Sequence, residues 1–319
     1  MQFYLAPMEE VTGRVFRSVY AQLFGDVDKY FTPFIDPGKK KLLKTRDRKE
    51  IDPEKNRGME LVPQLLGKDA QLLLHTMEAM RDLGYEEFNL NLGCPSGTVV
   101  SHGRGSGMLA DPEVLKSFLE EMYEGITRDS LRGVRLSVKT RIGICDLSEW
   151  EEIREVYEAF PITELIIHPR LQREFYQGEP HREIVAKMLQ QSKLPLCYNG
   201  DIYTAEDYRE VMAMMPTLSR VMIGRGLVAN PGLIREIRTG EKITKAELKA
   251  YHDCLFEAYQ EELESPKDAI FKMKEFWGYM IRNFPGASLR EIHKANRPAE
   301  YLAAVRALMA NEKARWARE

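Results

Sequence analysis

A thiol set between two turn-forming residues is the group of this chain most plainly placed for chemistry. Cys94 follows Glu87, Phe88, Asn89, Leu90, Asn91 and Leu92, whose period of two is that of a strand with one face in a core. Gly93 and Pro95 interrupt that stretch, so Cys94 falls in a loop just past the strand's C-terminal end. Gly97, Gly103, Gly105 and Gly107 come next, where a backbone can turn tightly or approach a ligand. Asp111 and Pro112 then open a helix as N-cap and first helical residue. An ordinary thiol, with a reference pKa of about 8.5, is mostly protonated at neutral pH. That suits a general acid better than a nucleophile needing activation, with His102 or His168 the histidines a fold would have to bring near. A small buried cysteine that only packs is the plainer reading of Cys94 taken alone. Polar groups at equivalent places elsewhere in the chain weigh against it.

The elements that must position such groups recur along the chain. Strands are expected at 2–6, 30–35, 60–65, 87–92, 134–140, 164–168, 194–199 and 220–223, with helices between them. Eight strand–helix units over about 230 residues fit an α/β fold of the (β/α)8 TIM-barrel type. An open doubly wound sheet fits less well, since no G-x-G-x-x-G follows the first strand. Beyond residue 238 only helices are expected, at 244–263, 266–284, 288–294 and 298–310, the first opened by a capping box of Thr244 and Glu247. The expected domains are therefore a barrel at 1–238 and an all-helical bundle at 239–319. Phe271, Met273, Phe276, Trp277, Met280 and Ile281 form a broad apolar face, read as bundle core.

In a barrel of this kind the active site lies at the C-terminal strand ends. Those ends carry Pro7 and Met8, Gln64, Asn91 and Cys94, Lys139 and Arg141, His168 and Arg170, Asn199 and Asp201, and Gly224 and Arg225. So many polar groups at equivalent positions make a site. Gly200 and Gly224-Arg225-Gly226 offer backbone amides and a guanidinium at the barrel's usual phosphate corner, which indicates a phosphorylated cofactor. No His/Cys/Asp/Glu set has metal-ligand spacing, so no metal is expected.

Composition bounds the setting. Hydrophobic residues make up 44% and charged residues 30% of the chain, and no apolar run is long enough to cross a bilayer. The N-terminus lacks the basic segment of a signal peptide. Cys94, Cys145, Cys197 and Cys254 form no C-x-x-C pair, as suits a reducing cytoplasm. At a net charge of −3, any site for a polyanion must be a local patch. Two patches qualify by charge: the basic run at 39–49, and Lys272, Lys274, Arg282, Lys294 and Arg297 in the helical tail. A solvated surface accounts for either equally well.

Taken together, these motifs resemble the tRNA-dihydrouridine synthases, flavoenzymes that reduce a uridine of tRNA. Leu5-Ala6-Pro7-Met8 is similar to that family's flavin-contacting first loop. Asn91-Leu92-Gly93-Cys94-Pro95-Ser96, running on to Gly103, Gly105 and Leu109, is similar to its signature around a catalytic cysteine. Val138-Lys139-Thr140-Arg141, His168-Pro169-Arg170 with Tyr176 and Gly178, Asn199-Gly200-Asp201-Ile202 and Val221 to Gly226 resemble its later motifs. The cysteine signature is specific, whereas the last two motifs are shared with other flavin-binding barrels.

The resemblance implies FMN at the barrel mouth, reduced by NADPH, with Pro7, Met8, Glu9, Gln64, Lys139 and His168 around it. It places the phosphate with Asn199, Gly200, Asp201, Gly224 and Arg225. Hydride would pass to one carbon of the uracil double bond and Cys94 would protonate the other. Asn91, Arg141 and Arg170 would position the uridine, and Lys272, Lys274 and Arg282 would meet tRNA from the helical domain. The base would have to leave its stack. A monomer in the cytoplasm, without metal or membrane, is the expected form. Two features depart from the family pattern: Ser96-Gly97-Thr98 replaces a lysine usual after Cys-Pro, and Leu171 and Glu174 stand where threonine and glutamine are usual. These touch substrate position more than flavin chemistry. The alternatives are a flavin reductase of a small pyrimidine or enone, a dihydrouridine synthase for ribosomal RNA, and an RNA-binding module without activity.

Overall fold

The computed structural model describes residues 1–310 and Trp316. Those residues fall into two compact units, Met1–Glu9 with Asp28–Gly200 and Glu210–Met222, and Glu10–Val27 with Asp201–Arg209 and Ile223–Glu319.

The first unit is built on a sheet of β1 (Gln2–Leu5), β2 (Lys29–Phe31), β3 (Leu61–Val62), β4 (Gln64–Leu65), β5 (Glu87–Leu92), β6 (Arg135–Thr140), β7 (Leu165–Ile167), β8 (Leu196–Tyr198) and β9 (Arg220–Ile223). Their order is β3-β2-β1-β9-β8-β7-β6-β5-β4, with parallel pairing. β3 and β4 are two halves of the single strand expected at 60–65, parted by Pro63, which has no N–H for the ladder. β3 pairs with β2 and β4 with β5, so this one stretch closes the barrel from both sides. The side chain of Thr32 takes the Gln64 N–H (3.0 Å), and the Pro63 carbonyl takes the Asn89 N–H (3.0 Å). β2 is shorter than expected because Pro33 follows it, and Ile35 returns only as an isolated bridge to Leu65.

Other elements follow local signals. Asp69 caps Ala70–Arg81 through the Leu72 N–H, and Asp111 caps Pro112–Ile126 with Pro112 in the first turn. The basic run holds a short helix, Thr45–Glu50, started by the Asp47 carboxylate accepting the Lys44 N–H (2.8 Å). Leu43 and Asp47 turn inward, while Lys39, Lys40, Lys41, Lys44, Arg46, Arg48 and Lys49 stay exposed.

Tyr4, Ala6, Phe31, Val62, Ile166, Cys197 and Met222 fill the barrel interior. Below them, at the N-terminal strand ends, Glu164 accepts from the Tyr4 hydroxyl (3.1 Å) and pairs with Arg220 (3.0 Å). Glu87 there pairs with Lys29 (2.7 Å) and Arg135 (3.2 Å). Charges at this end of a barrel serve stability.

The second unit is helical: Arg14–Leu23, Leu233–Thr239, Lys245–Glu262, Pro266–Met280 and Pro298–Ala310 are its longer pieces. The capping box forms as expected, the Glu247 carboxylate accepting the Thr244 N–H (2.8 Å) and the Thr244 hydroxyl accepting the Glu247 N–H (3.2 Å). At its centre the Tyr301 hydroxyl oxygen accepts from the Trp277 indole (3.0 Å) and lies 2.7 Å from Nε2 of His252. Of the expected core face, Ile281 is half-buried and Met273, Phe276, Trp277 and Met280 are buried. Phe271 is not: it is 54% exposed, because position 271 falls off the buried phase of 269, 270, 273, 276, 277 and 280. Among the described residues no helix is long and apolar enough to cross a membrane.

Candidate active site

The Cys94 loop is held in place by a chain of amides reaching across the barrel. Ser137 on β6 takes a hydrogen bond from Asn89 on β5 (2.9 Å), and the Asn89 oxygen takes one from Gln64 on β4 (2.8 Å). The Gln64 oxygen in turn accepts from Asn91 (2.8 Å), whose own oxygen accepts the backbone N–H groups of Gly93 (3.1 Å) and Cys94 (2.9 Å). Gln64 and Asn91, read from sequence as ligand-facing, thus orient the loop. On its other side the Cys94 carbonyl accepts from both the backbone and the hydroxyl of Ser106 (3.0 and 2.8 Å). Gly105 makes that clasp possible: its φ is +56°, and a Cβ there would sit 2.8 Å from the Cys94 carbonyl oxygen.

Cys94 is half-buried and unpaired with another cysteine. Burial pushes its thiol up from the ordinary range, while the Ser96 N–H, Arg141 and Lys139 pull it back less strongly. The protonated thiol is therefore the resting form. His102 contacts the Thr98 carbonyl (2.9 Å), and His168 neighbours Arg170 (3.2 Å).

Lys139 is the last residue but one of β6. Burial, and next the Arg141 charge, lower its pKa to about 8. Among the described residues no carboxylate pairs with it, and the thiols of Cys94 and Cys197 are the groups that favour its charge. Such a cation suits an anionic or hydrogen-bond-accepting group at the barrel mouth.

Arg141 and Arg170, expected to meet substrate, are fully buried and donate chiefly to the loop after β7, Arg141 also to the Cys94 loop. Arg141 donates to the carbonyls of Gly93 (3.0 Å), Leu171 (2.9 Å) and Phe175 (2.6 Å), and Arg170 to those of Gln177 (3.1 Å) and Gly178 (2.5 Å). The loop so riveted carries Phe175 at φ +51° and exposes both Phe175 and Tyr176. Tyr176 lies against Arg141 (5.5 Å) and the buried His168 (5.9 Å). Glu174, one of the departures, caps the Leu171 N–H (2.7 Å) and pairs with His181 (2.9 Å).

Pro7, Met8 and Glu9 are half-buried after β1, with Glu9 meeting Arg46 (3.1 Å) from the basic run. Asn199 donates to the Met222 carbonyl (2.8 Å), and Gly200 is buried. In the second unit Arg225 pairs with Asp201. Gly226 is obligatory there, since a Cβ would lie 1.9 Å from the Ile202 carbonyl oxygen. The three tail cations differ in state. Lys272 is held by Glu10 (3.2 Å) and Glu275 (3.3 Å), Lys274 lies over the Phe271 ring (4.9 Å), and Arg282 over Tyr203 (4.2 Å). Among the described residues no three His, Cys, Asp or Glu side chains gather as a metal site.

Asn89, Ser137 and Ser106 carry no motif that marks them in the sequence; the inward phase of Asn89 on an alternating strand is the one signal of its place.

Comparison with known proteins follows the same lines. Residues 4–312 match the family described as Dihydrouridine synthase (Dus). The tRNA-dihydrouridine(16) synthase of Pseudomonas putida is 28% identical over 90% of each chain. That of Aquipseudomonas alcaligenes is 26% identical over 90% of this chain and 92% of its own. A probable tRNA-dihydrouridine synthase of Staphylococcus aureus (strain Mu50) is 29% identical over 96% of this chain and 92% of its own. Among solved structures, morphinone reductase superposes with a TM-score of 0.52 at 11% identity, over 78% of this chain and 88% of its own, a likeness of fold.

Proposed function

The chain belongs to the dihydrouridine synthase family, and from that premise we propose that it reduces a uridine in the D-loop of tRNA to 5,6-dihydrouridine, using FMN and NADPH. The observation that carries this reading is the Lys139 ammonium, beside the Cys94 thiol and without a carboxylate partner among the described residues. A cation in that state gains most from a group that becomes anionic on reduction, which fits a flavin. FMN, when bound, supplies hydride for one carbon of the uracil double bond.

The chain's own residues do the rest. Lys139, with Pro7, Met8, Glu9, Gln64 and His168 around it, would hold the flavin ring. Asn199 and Gly200 would lead into the phosphate loop, where Gly224 and Arg225 would take the phosphate, Arg225 exchanging Asp201 for it. Cys94 Sγ–H gives its proton to the neighbouring uracil carbon. The thiolate left behind is offset by Lys139 and Arg141 until water returns the proton. Asn91 keeps Sγ in place through the loop amides, and Arg141 and Arg170 shape the uridine's entrance through the 171–178 loop. Residues 239–319 would bear on the tRNA, and the enzyme would act as a cytoplasmic monomer without metal.

The test is a dihydrouridine map of all RNAs from cells with and without the gene, by mass spectrometry, followed by restoration with purified yellow protein, NADPH and unmodified tRNA. Loss of one tRNA dihydrouridine is expected, with position 16, named for two of the relatives, the first place to look. An unchanged count would overturn the proposal. Loss confined to ribosomal RNA, or turnover of free uracil at rates matching tRNA, would replace its substrate.

A further inference from the structure

One exposed apolar side chain on a protein surface needs no explanation. Phe271 differs by the company it keeps along helix Pro266–Met280. Lys267, Phe271, Lys274, Gly278 and, past the helix end, Arg282 follow one another at spacings of four, three, four and four residues, which puts them on one line of the surface. Phe271 is 54% exposed, with the Lys267 and Lys274 ammoniums 5.7 and 4.9 Å from its ring centroid. Neither lysine pairs with a carboxylate among the described residues, whereas Lys272, on the next row, is held by Glu10 and Glu275. Gly278 adds an independent sign. A helical glycine is less stable than alanine, yet a Cβ at 278 would meet nothing within 4 Å, so no neighbouring residue requires its absence.

We propose that this line is an RNA track: Phe271 stacks on an unpaired base of the tRNA, Lys267 and Lys274 leave the ring for phosphates, and bare backbone at Gly278 admits the strand closely. An aromatic face between mobile cations is the combination by which proteins hold single-stranded nucleic acid. Cation–π contacts at an exposed site are weak, so the lysines exchange them readily for phosphate oxygens. The inference rests on the tRNA reading above and names the surface that serves it.

The experiment measures binding of labelled unmodified tRNA transcript to the full-length, flavin-loaded protein at several salt concentrations. Phe271→Ala should weaken binding by about five- to a hundredfold, the usual effect of removing one stacking partner. NADPH-dependent flavin reduction should be unchanged. Phe271→Tyr, which keeps the π face, should bind as the original does, and Phe271→Leu decides the matter should the alanine variant fail to fold. Lys267→Gln and Lys274→Gln should each lower the slope of log affinity against log salt by about 0.7–0.9. Unaltered affinity and slope in these variants, with the original protein still binding tRNA and making dihydrouridine, would overturn the track and leave the activity standing. An original protein that neither binds tRNA nor makes dihydrouridine would overturn both. Binding to phosphatidylserine vesicles lost in Phe271→Ala, with tRNA affinity unmoved, would assign the line to a lipid surface and overturn the proposal.

Discussion

In the proposed reaction Cys94 and Lys139 both act in their protonated forms, and their environments set how far apart they titrate. Burial raises the thiol above its ordinary range, while burial and Arg141 bring the ammonium down to about 8. Lys139 therefore loses its charge first as pH rises. The rate of dihydrouridine formation should be level on the acid side and fall through a single deprotonation near pH 8. Lys139→Arg, which keeps the charge, should move that fall upward, and a fall left in place would remove the lysine from the reaction. Cys94→Ala should still accept electrons from NADPH but lose product by about 10²–10⁴-fold, the usual worth of a general acid. Stopped-flow reduction and product mass spectrometry separate those two steps, and undiminished product would leave the thiol without a role.

Those two groups depend on elements that hold them from several strands. The relay from Ser137 through Asn89, Gln64 and Asn91 places Cys94 because each amide has a partner on the next strand. Gln64→Leu should strip partners from Asn89 and Asn91 at once. The buried Asn89 oxygen left unpaired costs about 1–3 kcal/mol, so denaturant titration should report at least about 1 kcal/mol. In the helical unit Tyr301→Phe should leave the Trp277 indole N–H without its acceptor and remove a partner of the His252 ring. A loss of about 2 kcal/mol is expected in the same measurement, and a smaller one would mean that these groups find other partners.

At the scale of the whole molecule, the barrel is closed around by the split strand at Pro63 and below by the charges at its N-terminal end. Glu87 is nearly buried between Lys29 and Arg135, so Lys29→Met alone should destabilise the protein by about 2–3 kcal/mol. The double variant with Glu87→Gln should recover most of that, since the nearly buried carboxylate, left with Arg135 alone, no longer carries a charge. Equal losses in single and double variants would show that the pair's packing, not its charge balance, matters.

Much of this architecture is legible along the chain because its signals are local. The alternation at Glu87–Leu92, the Asp111-Pro112 start and the Thr244–Glu247 box each depend on residues within a turn or two, and the folded chain keeps all three. The strand-end positions of Cys94 and Lys139 follow from the same periodicities. Partner choice is another matter. Arg141 and Arg170 have the appearance of ligand-binding groups until the fold turns their donors onto loop carbonyls some 30 and 7 residues away, as Leu171 and Gln177 show. Lys272 and Lys274 are alike in type, yet Glu10, 262 residues from Lys272, neutralises one and leaves the other beside an exposed ring. Hydrogen bonds and ion pairs join whichever groups folding brings within about 3 Å, and no periodicity along the chain encodes that.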